Sequence, residues 1–194
     1  MIEAFLASLS TIGVAEIGDR TQVLALVLAA RFRRPWPILA GTLCAALASN
    51  VIAALIGEHL GRFLNPVRLN LLVGVSLIVM ALWELRSEDQ EVKSASGSRG
   101  SAFWAAFAGI FIAEIGDKTQ IATAVLAAAY SNVTAVIGGA TAGMVLACAP
   151  AVFLGKTLSA KVSLRLIHYL ASALFLVLGA VFLLRAYYAY HHPH

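Results

Sequence analysis

A seven-residue acidic motif occurs twice in this chain, each time inside an apolar segment. Residues 16–22 read Glu-Ile-Gly-Asp-Arg-Thr-Gln, and residues 114–120 read Glu-Ile-Gly-Asp-Lys-Thr-Gln, 98 positions later. A charged side chain at the centre of a membrane costs about 2.5–3.5 kcal/mol on insertion scales. A chain that keeps two such clusters in apolar surroundings is expected to use them, and any fold must accommodate both.

The hydrophobicity of the chain places it in a membrane. Its 194 residues are 60% hydrophobic, whereas soluble domains are about 45–50% apolar. The first apolar stretch carries Glu16, Asp19 and Arg20, so we expect a retained span and not a cleaved signal peptide. We therefore predict an all-α integral membrane protein with six transmembrane helices of about 20 residues or more. The predicted spans are 3–30, 38–58, 67–86, 102–130, 134–155 and 164–187.

The duplication extends beyond the acidic motif. At the same offset Phe5 matches Phe103, and Gly41 matches Gly139. Each half is therefore predicted to be a three-helix unit. Because three is odd, the second unit must enter the membrane from the opposite side, which makes an inverted repeat of the kind found in secondary transporters. The predicted domains are a first repeat at 1–86, a flexible cytoplasmic linker at 87–101, a second repeat at 102–190 and a polar tail at 191–194.

The basic residues predict the orientation of the spans. Of the 14 lysines and arginines, nine lie in the connections after spans one, three and five, three lie on the opposite side, and two lie inside the motifs. Positive residues favour the cytoplasmic side. We predict a multi-pass protein of the inner (plasma) membrane with both termini outside the cytoplasm. The net charge of +4 is assigned to this topology, so the expected partner is the lipid bilayer and not nucleic acid.

The polar residues of the motifs predict a cation site. In a continuous helix, positions i, i+3 and i+6 drift by about 60° per step and share one side. Inverted repeats would bring the two motifs together near the midplane, giving four carboxylates and two carboxamide oxygens. Such hard ligands suit Ca²⁺, Mn²⁺ or Mg²⁺. The candidate metal ligands are Glu16, Asp19, Gln22, Glu114, Asp117 and Gln120, together with Asn50 of the second span, which could instead bridge helices.

The bases of the motifs are expected to pair locally. Arg20 follows Glu16 by four residues, and Lys118 follows Glu114 by four residues. Side chains at this spacing are neighbours on a helix. We expect each base to lower the charge of its own motif and not to bind the cation.

Two further pairs of motif residues leave alternatives open. Gly18 and Gly116 could permit close helix packing, or could let each helix unwind so that backbone carbonyls reach a cation. Thr21 and Thr119 are expected to bond to the carbonyl four residues earlier, with a hydroxyl offered to the ion as the alternative. The pair Gly139 and Gly143 predicts a close helix contact.

The paired Glu-x-Gly-Asp-[Lys/Arg]-[Ser/Thr] motif resembles that of the Gdt-type manganese/calcium transporter family. The resemblance covers the whole chain, with six spans, one motif in each half and a polar cytoplasmic linker. It implies that the motif acids Glu16, Asp19, Glu114 and Asp117 hold the transported cation. The short length is similar to that of manganese-exporting members, and larger members are expected to exchange cations for protons.

These features together predict a secondary active transporter and not an enzyme. We expect export of a divalent cation, Mn²⁺ before Ca²⁺, in exchange for protons, with no cofactor besides the transported ion. The alternatives are a small amino-acid exporter, which an excess of acids disfavours, and a cation channel, which has no need of an inverted repeat. An intramembrane enzyme would need a nucleophile or a metal–histidine motif beside the paired carboxylates. The oligomeric state is left open.

Overall fold

The computed structural model describes residues 1–86, 101–154 and 164–191. Within these ranges the chain is all-helical, as predicted, and has no strand. The predicted linker lies outside the described residues except for Ser101, and so does the tail beyond His191. The described ranges form eight helices, which are α1 (Ile2–Glu16), α2 (Arg20–Phe32), α3 (Pro35–Phe63), α4 (Pro66–Arg86), α5 (Ala102–Glu114), α6 (Lys118–Ala129), α7 (Val133–Leu154) and α8 (Leu164–His191).

Two predicted spans are broken in the middle. The span at 3–30 is divided into α1 and α2, and the span at 102–130 is divided into α5 and α6. Both breaks fall inside the acidic motifs. The expectation that the motif side chains fan along one continuous helix is therefore wrong, because Asp19 and Asp117 lie outside the helices as the N-cap residues of α2 and α6.

The other helix ends follow from local sequence. Pro35 begins α3, where its missing N–H leaves no hydrogen bond unmade. The side-chain oxygen of Asn65 accepts from the backbone N–H of Arg68 at 2.8 Å, and that of Asn132 accepts from Ala135 at 2.9 Å. These asparagines satisfy N–H groups that a helix leaves unpaired in its first turn.

The outer surface of the bundle is apolar. Three helical stretches of the described chain are long and apolar enough to cross a membrane, namely Pro35–Phe63, Val133–Phe153 and Ser172–His191. The outward side of α4 carries the exposed side chains of Leu71, Leu72, Val75, Val79 and Leu82. Water-soluble monomers rarely expose such contiguous apolar surface, so this face of α4 favours apolar surroundings over water.

The helices of one half pack mainly on helices of the other half. The most extensive contacts join α1 to α7, α3 to α5, and α4 to α8. In addition, α3 packs on α6 and α7 packs on α2. Exchanging each helix for its counterpart in the other repeat turns the pair α1–α7 into α5–α3, and the pair α2–α7 into α6–α3. Each broken span thus packs against the first unbroken helix of the opposite half, which is α7 for α1–α2 and α3 for α5–α6.

Glycines set the closest of these contacts. A Cβ atom on Gly139 of α7 would collide with the carbonyl oxygen of Phe5 in α1, and one on Gly41 of α3 would collide with the carbonyl oxygen of Phe103 in α5. Both partners of each pair are related by the offset of 98 residues, so the duplication recurs in the contacts. The close contact predicted for Gly139 and Gly143 is confirmed, since Gly143 also lies against the backbone of α1.

We predict that Gly139→Ala destabilises the protein whereas the neighbouring Gly138→Ala does not. The added methyl group at Gly139 meets the backbone of α1, while the nearest atoms at Gly138 belong to the Phe5 ring, 3.8 Å away. Overpacking costs about 1–3 kcal/mol, and alanine is otherwise the better helix former at both sites. Thermal unfolding in detergent measures the difference. Equal melting temperatures of the two variants would contradict the contact.

Candidate functional site

Each acidic motif contains a glycine in the left-handed region of the backbone. The φ angles are 82° at Gly18 and 75° at Gly116, which only glycine adopts without strain. The alternative of helix unwinding is therefore the one that the structure adopts. At Gly116 a Cβ atom would meet nothing within 4 Å, so glycine is required there by its conformation and not by crowding.

The motif glutamines hold the broken backbone in place. The side-chain oxygen of Gln22 or Gln120 accepts a hydrogen bond from the N–H of its own motif glycine, at 2.7 Å and 2.9 Å. Their amide nitrogens donate to neighbouring helices, to the Ala147 carbonyl oxygen in α7 at 2.6 Å and to the Ser49 hydroxyl in α3 at 3.2 Å. The role of both glutamines as metal ligands stays a prediction, whereas their structural role is evident.

Among the acids whose burial the structure describes, the motif glutamates are the most deeply buried. Glu16 is 0% exposed and Glu114 is 2% exposed. Neither carboxyl oxygen of Glu16 has a hydrogen-bond partner in the described part of the chain, and Glu114 has one oxygen without a partner. The other oxygen of Glu114 accepts from the Thr119 hydroxyl at 3.1 Å. Buried polar atoms without a partner are costly and uncommon, so the Glu16 carboxyl group points to a bound species.

The motif bases pair across the two halves. Arg20 Nη2 lies 3.2 Å from Asp117 Oδ1, and Lys118 Nζ lies 3.4 Å from Asp19 Oδ1. The expected pairing of each base with its own glutamate is therefore wrong. The break in each helix removes the continuous turn that would place residues i and i+4 side by side, and it directs each base toward the opposite motif.

The threonine prediction is also wrong, and for the same reason. The carbonyl groups four residues before Thr21 and Thr119 belong to Ile17 and Ile115, which lie in the breaks. Thr21 has no partner for its hydroxyl among the described residues. The Thr119 hydroxyl lies 3.2 Å from Asp117 Oδ2 as well as close to Glu114. In the second motif the threonine thus contacts carboxylates and not the backbone.

Asn50 bridges three helices beside the site. Its amide nitrogen donates to the Thr141 hydroxyl of α7 at 3.3 Å, and its oxygen accepts from the Thr123 hydroxyl of α6 at 2.9 Å. The interhelical interpretation is confirmed, and the metal role of Asn50 stays a prediction. The sequence analysis missed Thr123. Its position three residues after Gln120, inside an apolar stretch, was the available signal.

The four motif acids form one electrostatic cluster without a formed coordination shell. Glu16 lies within electrostatic range of Glu114, Asp19 and Asp117. In the described part of the chain, no three His, Cys, Asp or Glu side chains converge as ligands of one metal ion. Each base pairs with the aspartate of the opposite motif. The four carboxylates therefore lie near one another without converging on one point.

We predict that Lys118 is coupled to Asp19 more strongly than to Glu114. A double-mutant cycle of Lys118→Met with Asp19→Asn should give a coupling free energy of about 1–3 kcal/mol, as expected for groups in contact. The matched cycle of Lys118→Met with Glu114→Gln should give a smaller value. Unfolding free energies from denaturant titration in mixed micelles supply both numbers. A larger coupling free energy between Lys118 and Glu114 would show instead that each base pairs with the glutamate of its own motif.

We predict that Gly116→Asn is tolerated far better than Gly116→Val. Asparagine adopts the left-handed conformation readily, whereas a β-branched residue is strained there. Because a side chain at this position has open space, the strain acts alone, and it should cost about 1–2 kcal/mol for valine. Melting temperatures in detergent test this. If both variants lost the same stability, crowding and not backbone conformation would be the cause.

Comparison with known proteins places the chain in one family. The sequence profile described as divalent cation/proton antiporter GDT1 matches residues 4–92 and, separately, residues 102–190. A protein of Vibrio cholerae named "Putative manganese exporter" is 42% identical over 173 residues, which are 89% of this chain and 86% of that protein. The "GDT1-like protein sll0615" of Synechocystis is 33% identical, over 93% of this chain and 97% of its own length.

A plant relative extends the comparison. "GDT1-like protein 3" of Oryza sativa subsp. indica is 30% identical, over 91% of this chain and 72% of that protein. No solved structure matches the chain. The family consists of transporters and not of enzymes. The long apolar helices of this chain, together with the family, indicate a multi-pass membrane protein. The profile matches, the relatives and the paired acidic motifs show that this chain belongs to the GDT1 family of divalent cation/proton antiporters.

Proposed function

We propose that this protein exports Mn²⁺ from the cytoplasm in exchange for protons, with Ca²⁺ as a second substrate, through the cluster of motif acids. The observation that carries the proposal is the Glu16 carboxyl group, which is fully buried and has no hydrogen-bond partner among the described residues. A buried carboxyl group of this kind is stabilised by a proton or by a cation. Competition of the two for the same oxygens is what an antiporter requires.

The proposed architecture is six spans arranged as two inverted three-helix repeats. The first repeat, within 1–86, comprises the broken span α1–α2 followed by α3 and α4. The second, within 102–190, comprises α5–α6, α7 and α8. Support comes from the two separate matches to the family profile and from the equivalent contacts α1–α7 and α5–α3. The distribution of basic residues supports an inner-membrane protein with both termini outside.

The proposed substrate follows from the ligand chemistry. The site offers carboxylate and carboxamide oxygens, which favour Mn²⁺ and Ca²⁺ over softer cations. No cysteine or histidine lies in either motif. The name of the Vibrio cholerae relative supports manganese and the outward direction. The cation is substrate, and no resident cofactor is proposed.

The two ion pairs between the halves suggest how cation binding is coupled to movement. Arg20 and Lys118 lie on the aspartates of the opposite motif. An arriving divalent cation repels both bases and takes their place on the carboxylates. Binding therefore breaks two links between the halves, and the halves are then free to rock around the central site. Four acids and two bases sum to a charge of −2 (−4 + 2) when all are ionised.

We predict that Glu16→Gln abolishes Mn²⁺ transport while Glu58→Gln does not. Glu58 is a matched control because it pairs with Arg62 on the same helix, away from the cluster. The measurement is metal flux into proteoliposomes with an imposed pH gradient, comparing Mn²⁺, Ca²⁺ and Mg²⁺. The wild type and the control should show saturable Mn²⁺ flux that follows the gradient, because only the variant at Glu16 removes an ion-binding carboxylate.

Three outcomes would count against the proposal. Equal flux in the Glu16→Gln variant and the wild type would separate the buried carboxyl group from transport. Flux that neither saturates nor follows the pH gradient would favour the cation-channel alternative. Absence of any divalent flux, with amino-acid efflux in its place, would favour the amino-acid exporter.

A further inference from the structure

The two acidic motifs differ in how many of their polar atoms have a partner. Among the described residues, the first motif, at 16–22, holds four buried side-chain oxygens without a hydrogen-bond partner, two on Glu16 and one each on Asp19 and Thr21. The second motif, at 114–120, holds one, on Glu114. Because the two sequences differ in a single basic residue, the difference arises from what surrounds each motif.

Thr119 joins the two acids of the second motif. Its hydroxyl lies 3.1 Å from Glu114 Oε2 and 3.2 Å from Asp117 Oδ2. The Asp117 carboxylate also caps α6 by accepting from the backbone N–H of Thr119. In the first motif Asp19 makes no such cap bond, and the Thr21 hydroxyl has no partner in the described chain. Protein groups therefore orient the carboxyl groups of the second motif more fully than those of the first.

Two neighbouring residues of α3 hold α6 in place. The Ser49 hydroxyl accepts from the Gln120 amide at 3.2 Å, and the side-chain oxygen of Asn50 accepts from the Thr123 hydroxyl at 2.9 Å. Gln120 and Thr123 are one turn apart on α6, so both bonds act on the same face of that helix. Thr123 is 0% exposed and Asn50 is 4% exposed. Breaking their bond would leave a buried oxygen unpaired, which is costly.

The helix α2 of the first motif lacks this support. The positions equivalent to Thr123 and Asn50 are Ala25 and Cys148, and the methyl group of an alanine cannot form the corresponding bond. In addition, α4 packs on α6, whereas α8 makes no comparable contact with α2 in the described chain. The second motif is thus braced by two long helices and by side-chain bonds between helices.

The exposure of the two bases shows the same difference. Arg20, at the start of α2, is 48% exposed, whereas Lys118, at the start of α6, is 11% exposed. Segments with fewer buried contacts open at a lower free-energy cost. The first motif, together with α2, is therefore the part of the site that moves most easily.

We infer that the second motif is a preformed half-site, positioned by Thr119 and Thr123, and that the first motif moves with α2 to complete the ligand shell of the cation. The inference rests on the proposed function, because the cation is what draws the first motif inward. The second half-site binds the cation first. The bound cation then offers the Glu16 carboxyl group the partner that it lacks. Since unpaired buried polar groups are costly, this closure lowers the free energy of the first motif.

Hydrogen exchange compares the two helices directly. The backbone amides of α2 (Arg20–Phe32) and α6 (Lys118–Ala129) are followed by mass spectrometry in lipid nanodiscs, first without metal and then with saturating Mn²⁺. Without metal, α2 should exchange about tenfold faster than α6, the factor that one buried hydrogen bond represents. Mn²⁺ should slow the exchange of α2 and leave that of α6 unchanged. Equal exchange of the two helices without metal, or slowing confined to α6, would overturn the inference.

The Thr123→Val variant tests the positioning role. It leaves the buried oxygen of Asn50 without its donor, so the exchange of α6 should accelerate. The Mn²⁺ concentration that gives half-maximal flux should rise about five- to tenfold, as expected for one lost hydrogen bond. Thr123→Ser keeps the hydroxyl and should restore both values. Thr42→Val removes a buried hydroxyl whose partner is the Ile38 carbonyl of its own helix, and it should change neither. An unchanged half-saturating concentration in Thr123→Val would overturn this role.

The outcomes separate this inference from the proposed function. Faster exchange of α2 than of α6 in a protein that moves no divalent cation would leave the preformed half-site in place and remove the proposed function. Proton-coupled Mn²⁺ flux in a protein whose α2 and α6 exchange equally would do the reverse.

Discussion

The enclosure of four carboxyl groups in an apolar bundle, three of them buried and that of Asp19 nearly so, is the constraint on which the rest of this structure depends. Such groups persist only where other charges or dipoles offset their loss of water. The chain supplies these by breaking two helices at the motifs and by crossing the bases, so that Arg20 lies on Asp117 and Lys118 on Asp19. The glutamines then tie the broken backbone to α3 and α7. The close glycine contacts of Gly41 and Gly139 hold the long helices against both breaks.

Duplication supplies a nearly symmetrical frame, and the departures from symmetry are concentrated around the acids. The glycine contacts, the broken helices and the crossed ion pairs each occur twice. By contrast, Asn50 bridges α3, α6 and α7, while its counterpart Cys148 is a buried thiol. Thr119 contacts two carboxylates whereas Thr21 has no partner among the described residues. The backbone frame is thus repeated in the two halves, whereas the side chains around the acids are not, so the halves present chemically different groups to the site.

Much of this site was predictable from residue types, and what was not predictable has a single physical origin. The recurrence of Glu-x-Gly-Asp identified the cluster, the pair Gly139 and Gly143 identified a close contact, and an amide in an apolar span identified a bridge between helices. The partners of the bases and of the threonines were wrong because both predictions assumed a continuous helix. Glycine inside a helix is compatible with close packing and with a break, and the sequence around Gly18 does not distinguish them. The choice depends on Gln22, which bonds to the opened N–H.

The break also gives the two acids of each motif different surroundings. Asp19 and Asp117 stand at the beginning of α2 and α6, where the helix dipole favours negative charge by about 0.3–1 kcal/mol. Glu16 and Glu114 stand at the end of α1 and α5, where the same dipole disfavours it. The aspartates therefore have both a favourable dipole and a paired base beside them, whereas the glutamates stand at helix ends where the dipole is unfavourable. In the proposed antiport, the aspartates hold the bases until the cation arrives, and the glutamates are the groups at which a proton and the cation compete.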